Sequence, residues 1–406
     1  MMYPVYTLKN ECHDCYKCIR ECPVKAIKIQ DGSASVISER CIACGHCVNA
    51  CPSNAKRVRS DIDRVKTLFT AKKDVYVSLA PSWAGLYDFS AHKMIALLKK
   101  LGFKGVSETA LGAQEVSVKT AELLRNGDNG LYISSACPVI VSFVEKYYPQ
   151  YSKNITPVAS PALTHAKMLK EKFGDGISIV FIGPCVGKKN ESDQHEDLID
   201  VSLTFQELNF WINDEYIDVN EIEPKADDVF VLANSNEGAL YPIDGGMNET
   251  IRRVGIDEKT TLISNSSLET FGRSLQSFDA KKCNKKIFIE ALACNGGCVN
   301  GPCSDTKKSG FLVMSDVVSK VKFRDEIPQT PAVTVPMHYD ALKLKTEEYT
   351  YEEIIAAMKS IGKHSEADEL NCGGCGYPTC RDLAKALISG DAEPVTNTHL
   401  TLPTIL

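Results

Sequence analysis

No apolar run in this chain approaches the roughly 20 residues that a membrane-spanning helix needs, so the sequence predicts no membrane span. The first residues, MMYPVYTLKNEC, lack the apolar core of a secretion signal, and a cytoplasmic location is expected. Basic residues do not outnumber acidic ones: 46 Lys and Arg face 52 Asp and Glu, a net charge of -6, which argues against a nucleic-acid partner. There is no low-complexity tract. With 44% hydrophobic and 24% charged residues, the composition is that of a folded globular protein rather than a disordered one. At 406 residues the chain is too long for one ordinary core and predicts two or three domains.

Cysteine is what the sequence has in excess, with 17 residues. In a reducing compartment so many thiols point to metal ligation rather than disulfides. The segment CHDCYKCIRECP holds Cys12, Cys15, Cys18 and Cys22 ahead of Pro23, and CIACGHCVNACP holds Cys41, Cys44, Cys47 and Cys51 ahead of Pro52. Both are the C-x2-C-x2-C-x3-C-P run of two-cluster ferredoxins, in which the fourth cysteine of each run serves the other cluster. One 4Fe–4S set is therefore Cys12, Cys15, Cys18 and Cys51, and the second is Cys41, Cys44, Cys47 and Cys22. Zinc knuckles share the C-x2-C spacing but need neither the doubling nor the two prolines. This pattern predicts electron transfer.

The middle of the chain alternates two patterns. Short apolar runs at 75–81, 130–138, 177–185 and 286–294 end in Pro or Cys and predict buried strands. Helical periodicity covers 90–103, 115–127 and 162–174, with a charged connecting helix at 57–74 and a later helix at 351–362. Such alternation predicts parallel α/β layers with function at the C-terminal ends of the strands. Cys137, Cys185, Cys294 and Cys298 fall at those ends or in Gly-rich turns, where converging loops could bring them to one buried cubane. Each alone could equally be a small core residue.

These segments resemble the FeFe-hydrogenases. The family's three signatures, TSCCP, PCxxKxxE and ExMACxGGCxxG, correspond to SSACP at 134–138, PCVGKKNE at 184–191 and EALACNGGCVNG at 290–301. LAPS at 79–82 and YPIDGGMNET at 241–250 fit the family as well. The resemblance implies that Cys137, Cys185, Cys294 and Cys298 hold the cubane of an H-cluster. Cys298 would bridge to a two-iron subcluster carrying CO, cyanide and azadithiolate, delivered by hydrogenase maturation proteins. It implies a cyanide contact for Lys188, with Glu191 pairing that lysine or its neighbour, and a place for Ser82 near the other cyanide. The substrates implied are H2 and protons, the electron partner a ferredoxin or a signalling protein, and oxygen sensitivity is expected.

The chain departs from the family at the proton route. The first signature normally has a second cysteine that carries protons, and here Ala136 takes its place, with no transferable proton. Two glutamates of the upstream helix fall at Thr120 and Leu123, and two methionines at Leu292 and Gly183. Thr156 and Ser160 keep hydroxyls. Acid–base relays contribute about 100- to 10,000-fold, so the resemblance implies slow turnover and a sensory or regulatory branch. Glu290, Cys303 and Glu115 are candidates for another route. A high-turnover enzyme using such a route, or a non-catalytic iron–sulfur protein of electron transfer or cluster assembly, stays open. Cys283 and Cys303 match no ligand position.

Near the C-terminus, NCGGCGYPTCRDLAKAL places Cys372, Cys375 and Cys380 in a C-x2-C-x4-C spacing that resembles a small accessory 4Fe–4S module. That module has a fourth cysteine further on. Here the corresponding stretch has none, and His399 is the candidate in its place. The expected architecture is a two-lobed α/β H-cluster domain at 70–340, preceded by a ferredoxin-like α+β domain at 1–60 with two 4Fe–4S clusters. A small helical iron–sulfur module follows at 345–406.

Overall fold

The computed structural model describes residues 2–393 other than 72, 343, 345 and 346, so His399 lies outside the described residues. The chain forms two compact units, Ser60–Leu342 and Met1–Arg59 together with Lys343–Leu406.

The larger unit is built on two parallel sheets. In the first, strands Gly105–Glu108, Val75–Leu79, Ser178–Gly183 and Val201–Thr204 lie side by side in that order. Every residue of the two central strands is buried, as both-faced packing of a parallel sheet requires. In the second, the order is Thr260–Asn265, Lys286–Ala291 and Gly130–Ile133. Each sheet has its own apolar core, one around Val77, Leu97, Ile179 and Leu203, the other around Val116, Ile251 and Phe288.

The four apolar runs marked by the sequence are all strands. The three strands it did not mark, Gly105–Glu108, Val201–Thr204 and Thr260–Asn265, are sheet edges, where short and partly polar sequences suffice. Helix Ala110–Asn126 starts before the expected 115. Its first residues are small and buried on all sides, and so show no amphipathic period.

The smaller unit has a duplicated core. Strands Val5–Thr7 and Lys56–Val58 pair antiparallel, and Ile27–Gln30 forms a hairpin with Ser33–Val36. Helices Lys17–Glu21 and His46–Ala50 occupy equivalent places, each entered through a left-handed residue, Tyr16 and Gly45. The C-terminal segment, anticipated as a module of its own, belongs to this unit. Gly376 packs against Ile19 so closely that a Cβ there would lie 2.7 Å from the Ile19 side chain. Arg40 pairs with Asp391 at 2.5 Å, and the Ile29 amide donates to the Asp391 carbonyl. Among the described residues no helix is long and apolar enough to cross a membrane.

Candidate active site

The strand ends of both sheets in the larger unit open onto one cavity. Ala80–Ser82 arrive from strand Val75–Leu79, Thr109 from Gly105–Glu108, and Pro184 and Cys185 from Ser178–Gly183. The second sheet contributes Ala136 and Cys137 after Gly130–Ile133, and Leu292 after Lys286–Ala291; Cys298 follows further along the chain. Three of the four expected ligands thus share the cavity. Cys294 is not part of its lining. It begins the turn whose Gly297 amide donates to the Cys294 carbonyl at 3.0 Å, four residues before Cys298.

Backbone geometry aims the thiols. Cys137 caps helix Pro138–Tyr147, and its sulfur faces the amides of Ile140, Ala293 and Val139. The Cys185 sulfur faces the amides of Lys188 and Gly187. Burial, then the neighbouring Cys137, pushes the Cys185 thiol up to about 11, and the same two causes raise Cys298. Without metal these thiols keep their protons, which iron displaces on binding. Gly297 has φ +107°, and a Cβ on it would lie 2.4 Å from the Pro242 carbonyl oxygen. The Gly-Gly turn is therefore required for the cysteine loop to close on the 242–244 segment.

Lys188 lines the cavity, and its Nζ donates to Glu191 Oε2 at 2.6 Å and to Ser160 Oγ at 2.9 Å. Both ends of the pair are nearly buried. Ser160 also caps helix Pro161–Phe173. The next residue, Lys189, makes separate contacts, with Asp61 and Glu207, and is wholly buried. Ser82 is fully buried against the cavity, and its Oγ has no hydrogen-bond partner among the described residues. Ala136 stands in the wall. Gly183 leaves no room for a longer side chain, since a Cβ would meet Ala80 Cβ at 2.8 Å.

The remaining candidates have definite places. Glu290 accepts the amides of Met247 and Asn248, the first turn of helix Gly246–Val254, and burial raises its carboxyl to about 7. Glu115 accepts the amides of Ala332 and Val333 and so anchors that loop. Thr120 Oγ1 is buried without a partner, and Thr156 donates to Ser135. Cys303 is buried, its amide bonded to the Pro184 carbonyl and its thiol pushed up to about 12 by burial. Cys283 is half-buried and donates to the Lys285 carbonyl.

Of the cavity residues that escaped the sequence reading, Tyr241 and Thr109 carry polar groups. Tyr241 hydrogen-bonds Ser117, which bonds Thr250, at 2.9 and 2.6 Å. It heads the YPIDGG stretch, the signal that could have found it. Thr109 starts a buried chain through Ser78 to His165 and Ser107. Burial lowers the His165 imidazole to about 3, which keeps it neutral. Thr109 follows an unmarked edge strand, so nothing local pointed to it.

In the smaller unit a small cavity is lined by Cys12, Cys15, Cys18 and Cys51. Cys44 lies within electrostatic reach of Cys22, Cys47 and Cys41, and Cys375 within that of Cys372 and Cys380. Thiolate-rich sets suit iron–sulfur clusters. In the larger cavity, an ammonium and an unpartnered buried hydroxyl beside three thiols suit a cluster extended by anionic ligands.

Parallel sheets with cysteines at their facing strand ends, in one chain with a doubled ferredoxin-type run, define an iron–sulfur redox protein. The model of the iron-only hydrogenase large subunit, C-terminal domain, matches residues 73–302, over half of the chain, and the chain belongs to that family. A 4Fe-4S dicluster domain matches residues 4–52 and an Fe-S cluster family residues 368–395. Iron hydrogenase 1 of Clostridium pasteurianum is 27% identical over 299 residues, covering 60% of this chain and 52% of that protein. The chain thus spans about half the length of that relative. Protein NAR1 of Arabidopsis thaliana is 24% identical over 330 residues, 62% of this chain and 69% of its own. Among solved structures, a variant of the FeFe-hydrogenase HydA1 from Chlamydomonas reinhardtii superposes with a TM-score of 0.54 at 17% identity, over 70% of this chain and 99% of that one. That likeness is one of fold.

Proposed function

We propose that this chain is an FeFe-hydrogenase that interconverts H2 with two protons and two electrons, slowly, and serves to report H2. The observation that carries this reading is the Lys188 ammonium, held by Glu191 and Ser160 in the wall of the cavity shared by Cys137, Cys185 and Cys298. Cys137, Cys185, Cys294 and Cys298 hold the cubane, with Cys298 as the bridge to the two-iron group. When bound, that group supplies the chemistry of H2 cleavage. Lys188 gives a charge-assisted hydrogen bond to an anionic ligand, and the Ser82 hydroxyl, free of other partners, gives a second. Pro81, Pro161, Ala162, Phe181 and Leu292 line the space with apolar surface and exclude water. Ala136 holds no proton where the family keeps a thiol, and this makes turnover slow. Glu290 titrates near neutrality but already accepts two amides.

Electrons pass through 4Fe–4S clusters at the two N-terminal cysteine sets and an accessory cluster at Cys372, Cys375 and Cys380. A ferredoxin or a signalling protein receives them, and maturation proteins load the two-iron group. A second reading, a non-catalytic iron–sulfur protein of cluster assembly, is favoured by the similarity to the cytosolic Fe-S cluster assembly factor narfl of Danio rerio, 24% identical over 331 residues. Infrared spectra of matured, anaerobic protein distinguish the two. CO and cyanide bands that shift under stepwise H2 are expected. Their absence with full cubane loading and competent maturation favours the second reading.

A further inference from the structure

We propose that Lys56 is a built-in counter-charge for the N-terminal cluster held by Cys12, Cys15, Cys18 and Cys51, favouring its one-electron-reduced state. The inference rests on the reading that those cysteines hold a 4Fe–4S cluster. Lys56 opens the strand Lys56–Val58, in register opposite Thr7. Its side chain is 2% exposed. Nζ donates to Thr7 Oγ1 at 2.6 Å and to the Ala34 carbonyl at 3.4 Å. Neither acceptor carries a charge, and among the described residues Lys56 forms no ion pair with a carboxylate.

A buried ammonium without a counter-ion is costly. Lys56 lines the same cavity as Cys12, Cys15, Cys18 and Cys51, and its backbone amide donates to the Cys51 thiol. A thiolate-bound cluster at those four cysteines is the missing counter-charge.

A 4Fe–4S centre with four thiolates is doubly negative when oxidised and triply negative after taking up one electron. The attraction of a fixed positive charge grows with that added charge, so Lys56 raises the reduction potential. In the cell the electron comes from H2, which is oxidised to two protons and two electrons under the proposed function; in a titration it comes from dithionite.

The test is a mediated dithionite titration of the full chain, followed by electron paramagnetic resonance, after iron and sulfide analysis has established that the clusters are loaded. Lys56→Met is expected to shift the reduction equilibrium of the cluster at Cys12, Cys15, Cys18 and Cys51 about tenfold toward the oxidised form, some 59 mV for one electron. Lys56→Arg should restore it. Thr7→Asp keeps the lysine but cancels its charge and should shift the potential in the same direction, whereas Thr7→Val should not. If Lys56→Met fails to load clusters, the two Thr7 variants decide. Unchanged potentials in loaded Lys56→Met or Thr7→Asp overturn the proposal. Wild-type protein that binds no iron at Cys12–Cys51 overturns instead the cluster reading beneath it.

Discussion

Glu191 stands one helical turn after Lys188, and its Oε2 receives the Lys188 Nζ at 2.6 Å inside the wall of the thiol-lined cavity. The i,i+3 spacing puts both on one face of helix Gly187–Gln194. Ser160 holds the same ammonium from the neighbouring helix cap, so the cation is aimed rather than free to swing.

Removing the acid should therefore be felt twice. Breaking a buried pair from one side costs about 3–5 kcal/mol. Glu191→Ala is expected to lower the urea midpoint of the metal-free protein accordingly, and Glu191→Gln, which keeps an acceptor, should lower it less. In matured protein, a cyanide band in the infrared should move in both variants. Unmoved bands would detach Lys188 from the proposed site.

Ala136→Cys returns a transferable proton to the cavity wall. If the missing relay limits turnover, H2 evolution by matured protein should rise, within a ceiling of about 100- to 10,000-fold. No gain in an anaerobic assay at equal iron loading would place the limit elsewhere.

Glu290 has a folded pKa raised from 4.5 to about 7, chiefly by burial. Raised means that the folded state binds this proton more tightly than the unfolded one. The stabilisation is thus fully present below about pH 4.5 and is lost as pH rises through about 7. The stability of wild type relative to Glu290→Gln should fall by about 3 kcal/mol across that window, measured by urea unfolding of metal-free protein at a series of pH values. A flat difference would mean that the carboxyl titrates normally.

Gly297→Ala adds a Cβ 2.4 Å from the Pro242 carbonyl, at a φ of +107° that side chains disfavour. The turn carrying Cys294 and Cys298 must shift. Iron content in the larger unit should drop while the N-terminal clusters stay loaded, as read by iron analysis and electron paramagnetic resonance.

Much of the site was legible because its signals are local. Cysteine spacing, Pro and Gly at strand ends, and apolar runs for central strands all depend on residues close in sequence. The cavity collects Cys137 and Cys185 where two of those runs end, and Cys298 from the Gly-rich turn after a third. The edge strands were missed because their sequences are partly polar and show no apolar run, and with Gly105–Glu108 went Thr109 and the buried His165 chain.

The order of residues by itself determined that Ala136 has no proton to give and that two cysteine runs carry the same doubled spacing, each followed by a proline. Tertiary structure alone decided that Glu191 takes Lys188 while Asp61 and Glu207 take Lys189, since adjacent residues on a helix point to different surroundings. It decided that the C-terminal cysteines join the N-terminal unit, through the fit of Gly376 on Ile19. It also decided that Lys56 is buried beside Cys12, Cys15, Cys18 and Cys51. A strand register set by Val5–Thr7, some fifty positions away in the chain, puts that charge there.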